Sequence, residues 1–311
     1  MSFFQRSRFV LIILILAVVP LSGCLFRSRV VERPFSTDHL QTANQTQLIG
    51  YLDDQGSRVH AMQATVDIDT SVGGEKKGKI TDYKEIRGYI LLRKPSMLRM
   101  IGLLPIVRTR AFDMVSNGND FKLSIPPKNR FVTGRDNVLT PNPKQPLENL
   151  RPQVIYDALL IHPIDQQNEI AVLENDIQVV TDSKGHRVEQ ADYVLDVVRK
   201  TDSGWYLSRK IVFSRSDLLP HRQVIFDEKG NISTNAQYLN YKDYDGISFP
   251  TQIEIVRPQE EYNITLNMVK LEFNKQLTDE QFILDQPPGA EVVHLGEPQA
   301  QASTARMGSA R

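Results

Sequence analysis

Side chains that could carry out acid–base, nucleophilic or metal chemistry occur in this chain, but no catalytic pattern joins them. Six histidines are scattered along the sequence, namely His39, His60, His162, His186, His221 and His294. None has the His-Glu-x-x-His spacing of a zinc site, and neither a Gly-x-Ser-x-Gly motif nor a phosphate-binding loop occurs. Most acidic residues fall on polar strand faces or in turns. The sequence therefore predicts a protein that is not an enzyme and that has no metal site and no cofactor.

Cys24 is the only cysteine, and its surroundings indicate export. Arg6 and Arg8 precede an apolar run at residues 9–19, and small residues follow before Cys24, which is the order of a secretory signal. The apolar run is too short to cross a bilayer as a permanent helix. Because exported proteins normally pair their thiols, a lone exported cysteine is better explained as modified.

The sequence Leu-Ser-Gly-Cys at residues 21–24 resembles the lipobox of bacterial lipoproteins. This resemblance implies that residues 1–23 are a signal peptide and that Cys24 becomes the acylated first residue. Each buried methylene contributes about 0.8 kcal/mol, so two or more acyl chains bind a membrane firmly. Residue 25 is leucine rather than aspartate, which resembles the outer-membrane address of enterobacterial lipoproteins. The alternative is a buried or chance cysteine behind an ordinary signal peptide.

Charge and composition argue against a nucleic-acid-binding protein. The chain has 37 basic and 37 acidic residues, and loss of two arginines with the signal peptide leaves 35 against 37, a net charge of about −2. Residues 24–36 contain little to bury and are predicted to be a tether. Residues 37–293 are predicted to form one domain, and residues 294–311, rich in small and polar residues, a disordered tail.

Alternating apolar and polar residues predict many strands. Met62, Ala64, Val66 and Ile68 point one way and the polar residues between them the other. Further strand-like runs, separated by good turn sequences, lie at about 79–93, 97–103, 108–116, 120–125, 129–133, 176–181, 187–199, 205–214, 221–228, 232–242, 250–257 and 262–274. The last run changes parity, which predicts a β-bulge near Met268. The pattern indicates an antiparallel meander with one apolar face.

Three helical segments interrupt the strands. One is predicted to begin at Ser36 or Thr37 and to be closed by Gly56, and an amphipathic one spans residues 146–161. A short turn opens at Thr278. A long antiparallel sheet with one apolar face and so few helices is predicted to be mainly β (α+β), an incomplete β-barrel (half-barrel) covered by a few helices.

Several short segments resemble the LolA/LolB-type lipoprotein carrier superfamily. They are GYILLRKP at 88–95, LRM at 98–100, DEKG at 227–230, GISFP at 246–250 and PPGA at 287–290. The resemblance spans roughly residues 40–293. It implies a half-barrel whose apolar face, covered by helices, accepts acyl chains or other hydrophobic ligands.

Strand parity selects residues for that apolar face but does not mark a cavity. The ligand-cavity candidates are Leu98, Met100, Phe112, Met114, Phe121, Leu123, Tyr193 and Leu195. Ordinary core packing is the alternative for each of them. The segment IGLLPI at 101–106 contains Leu103 and Leu104, which resemble the exposed membrane-delivery loop of the receptor branch of the superfamily. The alternative is a strand end packed in the core.

Two functional hypotheses follow. The first is a lipid-anchored envelope lipoprotein, at the outer membrane and facing the periplasm, that binds lipid or lipoprotein cargo by its acyl chains and takes part in transfer to that membrane. The second is a non-catalytic envelope assembly or scaffold lipoprotein that binds a protein partner. A third, an envelope hydrolase, has only dispersed acidic residues behind it. An open apolar cavity beneath helix 146–161 would favour the first.

Overall fold

The computed structural model describes residues 39–76, 78–136, 151–181 and 184–295. The predicted signal peptide and tether, Cys24 and most of the predicted tail lie outside the described residues. Among the described residues, 39–178 and 190–295 form one compact unit, and 179–181 and 184–189 fall in a second. Within the described ranges, no helix is both long enough and apolar enough to span a bilayer.

One sheet of fourteen strands contains most of the described residues. Its strands are β1 (Ala61–Gly74), β2 (Lys79–Arg93), β3 (Met97–Leu103), β4 (Arg110–Ser116), β5 (Asp120–Ile125), β6 (Arg130–Arg135), β7 (Glu169–Thr181), β8 (Arg187–Thr201), β9 (Gly204–Ser214), β10 (Pro220–Phe226), β11 (Ile232–Tyr244), β12 (Ile247–Arg257), β13 (Tyr262–Phe273) and β14 (Glu291–Leu295). Two α-helices accompany it in the described part, α1 (Gln45–Arg58) and α2 (Pro152–Leu159), together with short 3₁₀ turns at Pro126–Lys128 and Asp279–Phe282.

Two antiparallel meanders meet in the middle of this sheet. Strands β1 to β6 run outward in order to one edge, β7 to β13 run inward from the other, and β1 pairs with β13. The edge strands are β14 and β7, so the sheet is open, and β14 pairs in parallel with β6. The prediction of a mainly β, unclosed, curved sheet with few helices is confirmed.

The position of α2 follows from this topology. Strand β6 lies near one edge and β7 forms the other, and the described part of the connection between them begins at residue 151 and lies against a face of the sheet. Helix α2 belongs to that connection and packs on β3, β4 and β12. It begins with Pro152, whose missing N–H is not needed in the first turn. Residues 146–150 of the predicted helix lie outside the described residues.

Helix α1 differs from its prediction at both ends. It begins at Gln45 because Asn44 and Gln47 form a reciprocal capping box, each side chain accepting the other residue's backbone N–H. Gly56 does not end it. The helix continues to Arg58. Gly56 allows close packing instead, because a Cβ at this position would lie 2.6 Å from Pro163 Cγ.

The predicted bulge is confirmed, and two strands show what alternation alone does not reveal. Thr65 pairs with Lys270 and Val66 with Met268, which leaves Val269 as the extra, exposed residue. Strand β7 begins seven residues earlier than predicted, and as an edge strand it exposes apolar side chains that blur the pattern. Strand β14 was not predicted. It includes residues 294 and 295 of the predicted tail.

Candidate ligand cavities on either side of helix α2

Two cavities flank α2 on the apolar face of the sheet. The first, called the loop cavity here, has a volume of about 370 Å³ and is lined by Ile155 of α2, by residues of β1 to β4 and by the β3–β4 loop. The second, the α1–α2 cavity, has a volume of about 320 Å³ and lies between the two helices, with Tyr156 of α2 in its wall. Both volumes fall within the range of small-molecule sites.

A cross-strand glycine pair shapes the floor of the loop cavity. Gly88 of β2 lies opposite Gly102 of β3, and Gly102 in turn lies opposite Phe112 of β4. A Cβ on Gly102 would be only 2.4 Å from Cε1 of Phe112, and one on Gly88 would be 2.4 Å from Cδ1 of Ile68. The two glycines therefore make room for these apolar side chains, and both Phe112 and Ile68 line the cavity.

The β3–β4 loop forms one wall of the loop cavity and also exposes apolar side chains. Leu104 and Pro105 line the cavity, whereas Ile106 is 99% exposed and Val107 is 65% exposed. The loop is held by its own backbone. The Leu104 N–H donates to the Thr109 carbonyl at 2.7 Å, and the Arg108 N–H donates to the Leu104 carbonyl at 3.0 Å. An exposed apolar tip and an apolar cavity wall are thus parts of one short loop.

Tyrosine and proline side chains dominate the α1–α2 cavity. Its lining residues are Tyr51, Leu52, Gln55, Gly56, Val59, Lys94, Pro95, Tyr156, Leu159, Leu160, Ile161, His162, Pro163, Pro220, Tyr238, Tyr241, Ser248, Phe249 and Pro250. These come from α1, α2, β10, β11, β12 and three connecting segments.

Three of the polar groups in this wall have protein partners. The Tyr156 hydroxyl donates to the Pro95 carbonyl at 2.6 Å, and the Tyr241 hydroxyl donates to the Pro220 carbonyl. The Lys94 ammonium donates to the Gly56 carbonyl. Burial lowers the pKa of the Lys94 ammonium and raises the pKa of the Tyr51 hydroxyl to about 12. The cavity wall is therefore a poorly hydrated environment for both groups.

The hydroxyl of Tyr238 is different. Tyr238 is 2% exposed, and its hydroxyl has no hydrogen-bond partner among the described residues. Burial is the main cause of the raised pKa of this phenol, and the charge of Asp157 adds to it. An unpaired buried hydroxyl loses its water without gaining a partner.

His162 completes the polar part of the wall. Its Nε2 lies 2.8 Å from Oδ1 of Asp157, and its ring stacks on Tyr156 with centroids 5.8 Å apart. No role for His162 was predicted from the sequence, because residue spacing does not show that the side chain of His162 contacts the preceding helix α2. Within the described ranges, no group of three or more histidine, cysteine, aspartate or glutamate residues could hold a metal ion.

The predicted cavity candidates are all buried and divide between two core clusters. Leu98, Met100, Phe112, Met114, Phe121 and Leu123 belong to the cluster that includes α2, and Tyr193 and Leu195 to the one that includes α1. Met100 and Phe112 line the loop cavity. The lining residues of α1, the β3–β4 loop and the prolines were missed. Strand parity carries no signal for them.

The two predicted membrane-loop residues sit at the base of the exposed loop. Leu103 is the last residue of β3, and both Leu103 and Leu104 are half-buried. The most exposed apolar residues of the loop, Ile106 and Val107, follow them. The apolar segment predicted from the sequence, residues 101–106, includes Ile106 but ends before Val107.

Known proteins resemble the chain at low sequence identity. A family model described as an uncharacterized protein matches residues 172–286, less than half of the chain. No curated protein matches the sequence. A LolA superfamily protein from Nitrosomonas europaea is similar over 78% of this chain and 99% of its own, with 14% identity and a TM-score of 0.47.

Two further solved structures are similar to the same extent. One is a domain from Vibrio parahaemolyticus named as an outer-membrane lipoprotein-sorting protein, with 15% identity, 77% and 97% coverage and a TM-score of 0.46. The other is a DUF1329 family protein from Desulfovibrio piger, with 15% identity, 76% and 95% coverage and a TM-score of 0.45. Matches at this level carry no argument about function, which rests on the cavities.

Proposed function

We propose that this protein is a lipid-anchored envelope lipoprotein that binds the acyl chains of a lipid or of another lipoprotein. The observation that carries the proposal is the loop cavity, an apolar space of about 370 Å³ beside α2. Burying a methylene in such a space stabilises the complex by about 0.8 kcal/mol. An acyl chain has many methylenes and no polar group to leave unsatisfied, so it fits this lining.

The β3–β4 loop supports a role in transfer as well as binding. Its tip exposes Ile106 and Val107, while its base places Leu104 and Pro105 in the cavity wall. When the exposed tip inserts into a bilayer, the cavity and the hydrocarbon region are joined by a continuous apolar path. We propose that Leu103 and Leu104, at the base of the loop, belong to this membrane-contacting segment.

Attachment is proposed to come from Cys24. An acylated Cys24, followed by a tether at residues 24–36, would hold a domain at residues 37–293 beside the outer membrane, facing the periplasm. A tethered domain can exchange a ligand with the membrane that holds it. We propose that the protein acts without catalysis and without a cofactor, and that the membrane and an acylated cargo are its partners.

Extraction of the native protein tests this function. The full chain is isolated from membranes, extracted with organic solvent and analysed by mass spectrometry, with a periplasmic lipoprotein of unrelated fold as the control. A specific acylated molecule in stoichiometric amount is the expected result. Consistently empty protein that also fails to take up acyl probes would remove the carrier proposal.

One feature favours the alternative, an assembly or scaffold lipoprotein. Edge strand β7 exposes Ile170, Val172 and Ile177, which are 52%, 53% and 53% accessible. Exposed β-branched side chains on an edge strand suit pairing with a strand of another protein. Site-specific crosslinking from β7 in cells tests it. A stable covalent complex with one envelope protein would support the scaffold, and its absence would leave the carrier.

A further inference from the structure

The α1–α2 cavity differs from a purely apolar site because a lysine side chain lies in its lining. Its lining contains one lysine, Lys94, and no arginine, aspartate or glutamate. The Lys94 ammonium donates to the Gly56 carbonyl and forms no ion pair with any described residue. A half-buried cation with a neutral partner is poorly compensated, and an anion in the cavity would compensate it.

The lysines of the loop cavity are in a different situation. Lys84 and Lys128 line that cavity but are exposed at its rim, where water and salt screen their charge. Lys94 is half-buried and its pKa is lowered by loss of water. The two cavities therefore differ in how strongly they favour a negative group.

Tyr238 provides a second, independent observation. Its buried hydroxyl is without a hydrogen-bond partner in the described part of the chain, and Tyr238 lines the same cavity as Lys94. A buried donor is satisfied when a ligand brings an acceptor oxygen. A purely hydrocarbon ligand would leave both this hydroxyl and the Lys94 charge uncompensated.

We propose that the α1–α2 cavity is a second ligand site, specific for an amphiphile with an anionic head and an apolar body. The carboxylate or phosphate head binds the Lys94 ammonium, and the apolar body lies against Tyr156, Tyr241 and Phe249. The inference deepens the proposed function, because it adds a head-group preference to a protein that binds acyl chains.

Photocrosslinking on the full chain in its membrane tests the site. The probes are a sixteen-carbon fatty acid carrying a diazirine and the matching fatty alcohol, and crosslinked peptides are mapped by mass spectrometry. The acid is expected to label the α1–α2 cavity, with labelling at least about tenfold weaker in Lys94→Met, because the variant lacks the charged hydrogen-bond donor for the head group. Lys200→Met, at an exposed lysine of β8 that lines neither cavity, is the matched control and should leave this labelling unchanged. A phosphate-headed lysolipid competing as well as the fatty acid would identify the head as any anion rather than a carboxylate.

Each outcome separates this site from the proposed function. Lys94→Arg keeps the cation and should keep the preference for the acid, which also controls for misfolding of Lys94→Met. Equal labelling by acid and alcohol in the wild-type chain would overturn the inference. Labelling confined to the loop cavity would overturn it while leaving acyl binding in place, and an absence of labelling in both cavities would remove both proposals.

Discussion

Ile155 and Tyr156 are neighbours in α2, yet Ile155 lines the loop cavity and Tyr156 lines the α1–α2 cavity. Adjacent residues of a helix point about 100° apart, so one short helix can wall two spaces. Helix α2 therefore separates two cavities on the apolar face of the sheet. Both side chains are 1% exposed, which fixes the helix in place.

The close approach of Gly56 to Pro163 predicts a sharp sensitivity at that position. Gly56→Ala would put a Cβ 2.6 Å from Pro163 Cγ. Overpacking of this kind lowers the free energy of unfolding by about 1–3 kcal/mol. Gly50→Ala, in the same helix, is the control, because nothing lies within 4 Å of its Cβ position and the change should stabilise α1 by up to about 1 kcal/mol. Denaturant unfolding measures both, and equal effects would contradict the packing described.

Two tyrosine hydroxyls of one cavity are predicted to differ in their contribution to stability. Tyr156→Phe removes the 2.6 Å hydrogen bond to the Pro95 carbonyl and should lower the free energy of unfolding by about 0.5–1.5 kcal/mol. Tyr238→Phe removes a hydroxyl with no partner among the described residues and should be neutral or stabilising. Unfolding curves of the two variants give the comparison. A larger loss for Tyr238→Phe would mean that its hydroxyl is bound in the folded protein.

The exposed loop tip is predicted to matter for transfer and not for folding. Ile106→Glu combined with Val107→Glu changes exposed side chains, so stability should change by no more than about 0.5 kcal/mol. The rate at which a fluorescent acyl probe moves between the protein and vesicles should fall severalfold, because charged side chains resist insertion into lipid. Ile170→Glu combined with Val172→Glu on β7 is the matched control. An equal loss of transfer in the control would show a general surface effect.

Much of the sheet could be predicted from alternation, and the failures have physical causes. The parity change at Met268 located the bulge correctly, since a buried face forces an extra residue out of register. Gly56 was expected to end α1, because a glycine that makes room for a proline elsewhere in the chain looks the same in sequence as a terminating one. Strand β14 is short and pairs with β6 across a long separation in sequence, which alternation does not report.

The candidate site was less predictable than the fold. Parity shows which side chains point inward, and Met100 and Phe112 were selected on that basis. Whether an inward-pointing side chain packs against another side chain or lines a cavity depends on the volumes of residues that are far apart in the sequence. Lys94 and Tyr238 share one cavity although they are separated by more than a hundred positions.

Attachment through Cys24 leads to a simple prediction. Cys24→Ser removes the thiol that would be acylated, so the protein should appear in the soluble periplasmic fraction instead of the membrane fraction. The fold should be retained, because the core clusters of the described residues are built from residues 43–295. Immunoblotting of separated fractions, with unfolding curves of the released protein, measures both. Persistent membrane attachment would contradict acylation at this residue.

Binding of an apolar ligand in the loop cavity is tested most directly by uptake of an acyl probe. Saturable uptake is measured for the full chain and for a variant whose loop cavity is filled. Ala111→Trp places a large ring in the lining of that cavity, and Trp205→Phe on distant β9 serves as the control. The wild-type chain and the control are expected to bind the probe with a defined stoichiometry, and Ala111→Trp to bind it at least tenfold more weakly, since excluding several methylenes from the cavity forfeits about 0.8 kcal/mol each. Uptake that is absent in the wild-type chain, or unchanged when the cavity is filled, would contradict the proposal that this protein carries an apolar ligand beside α2.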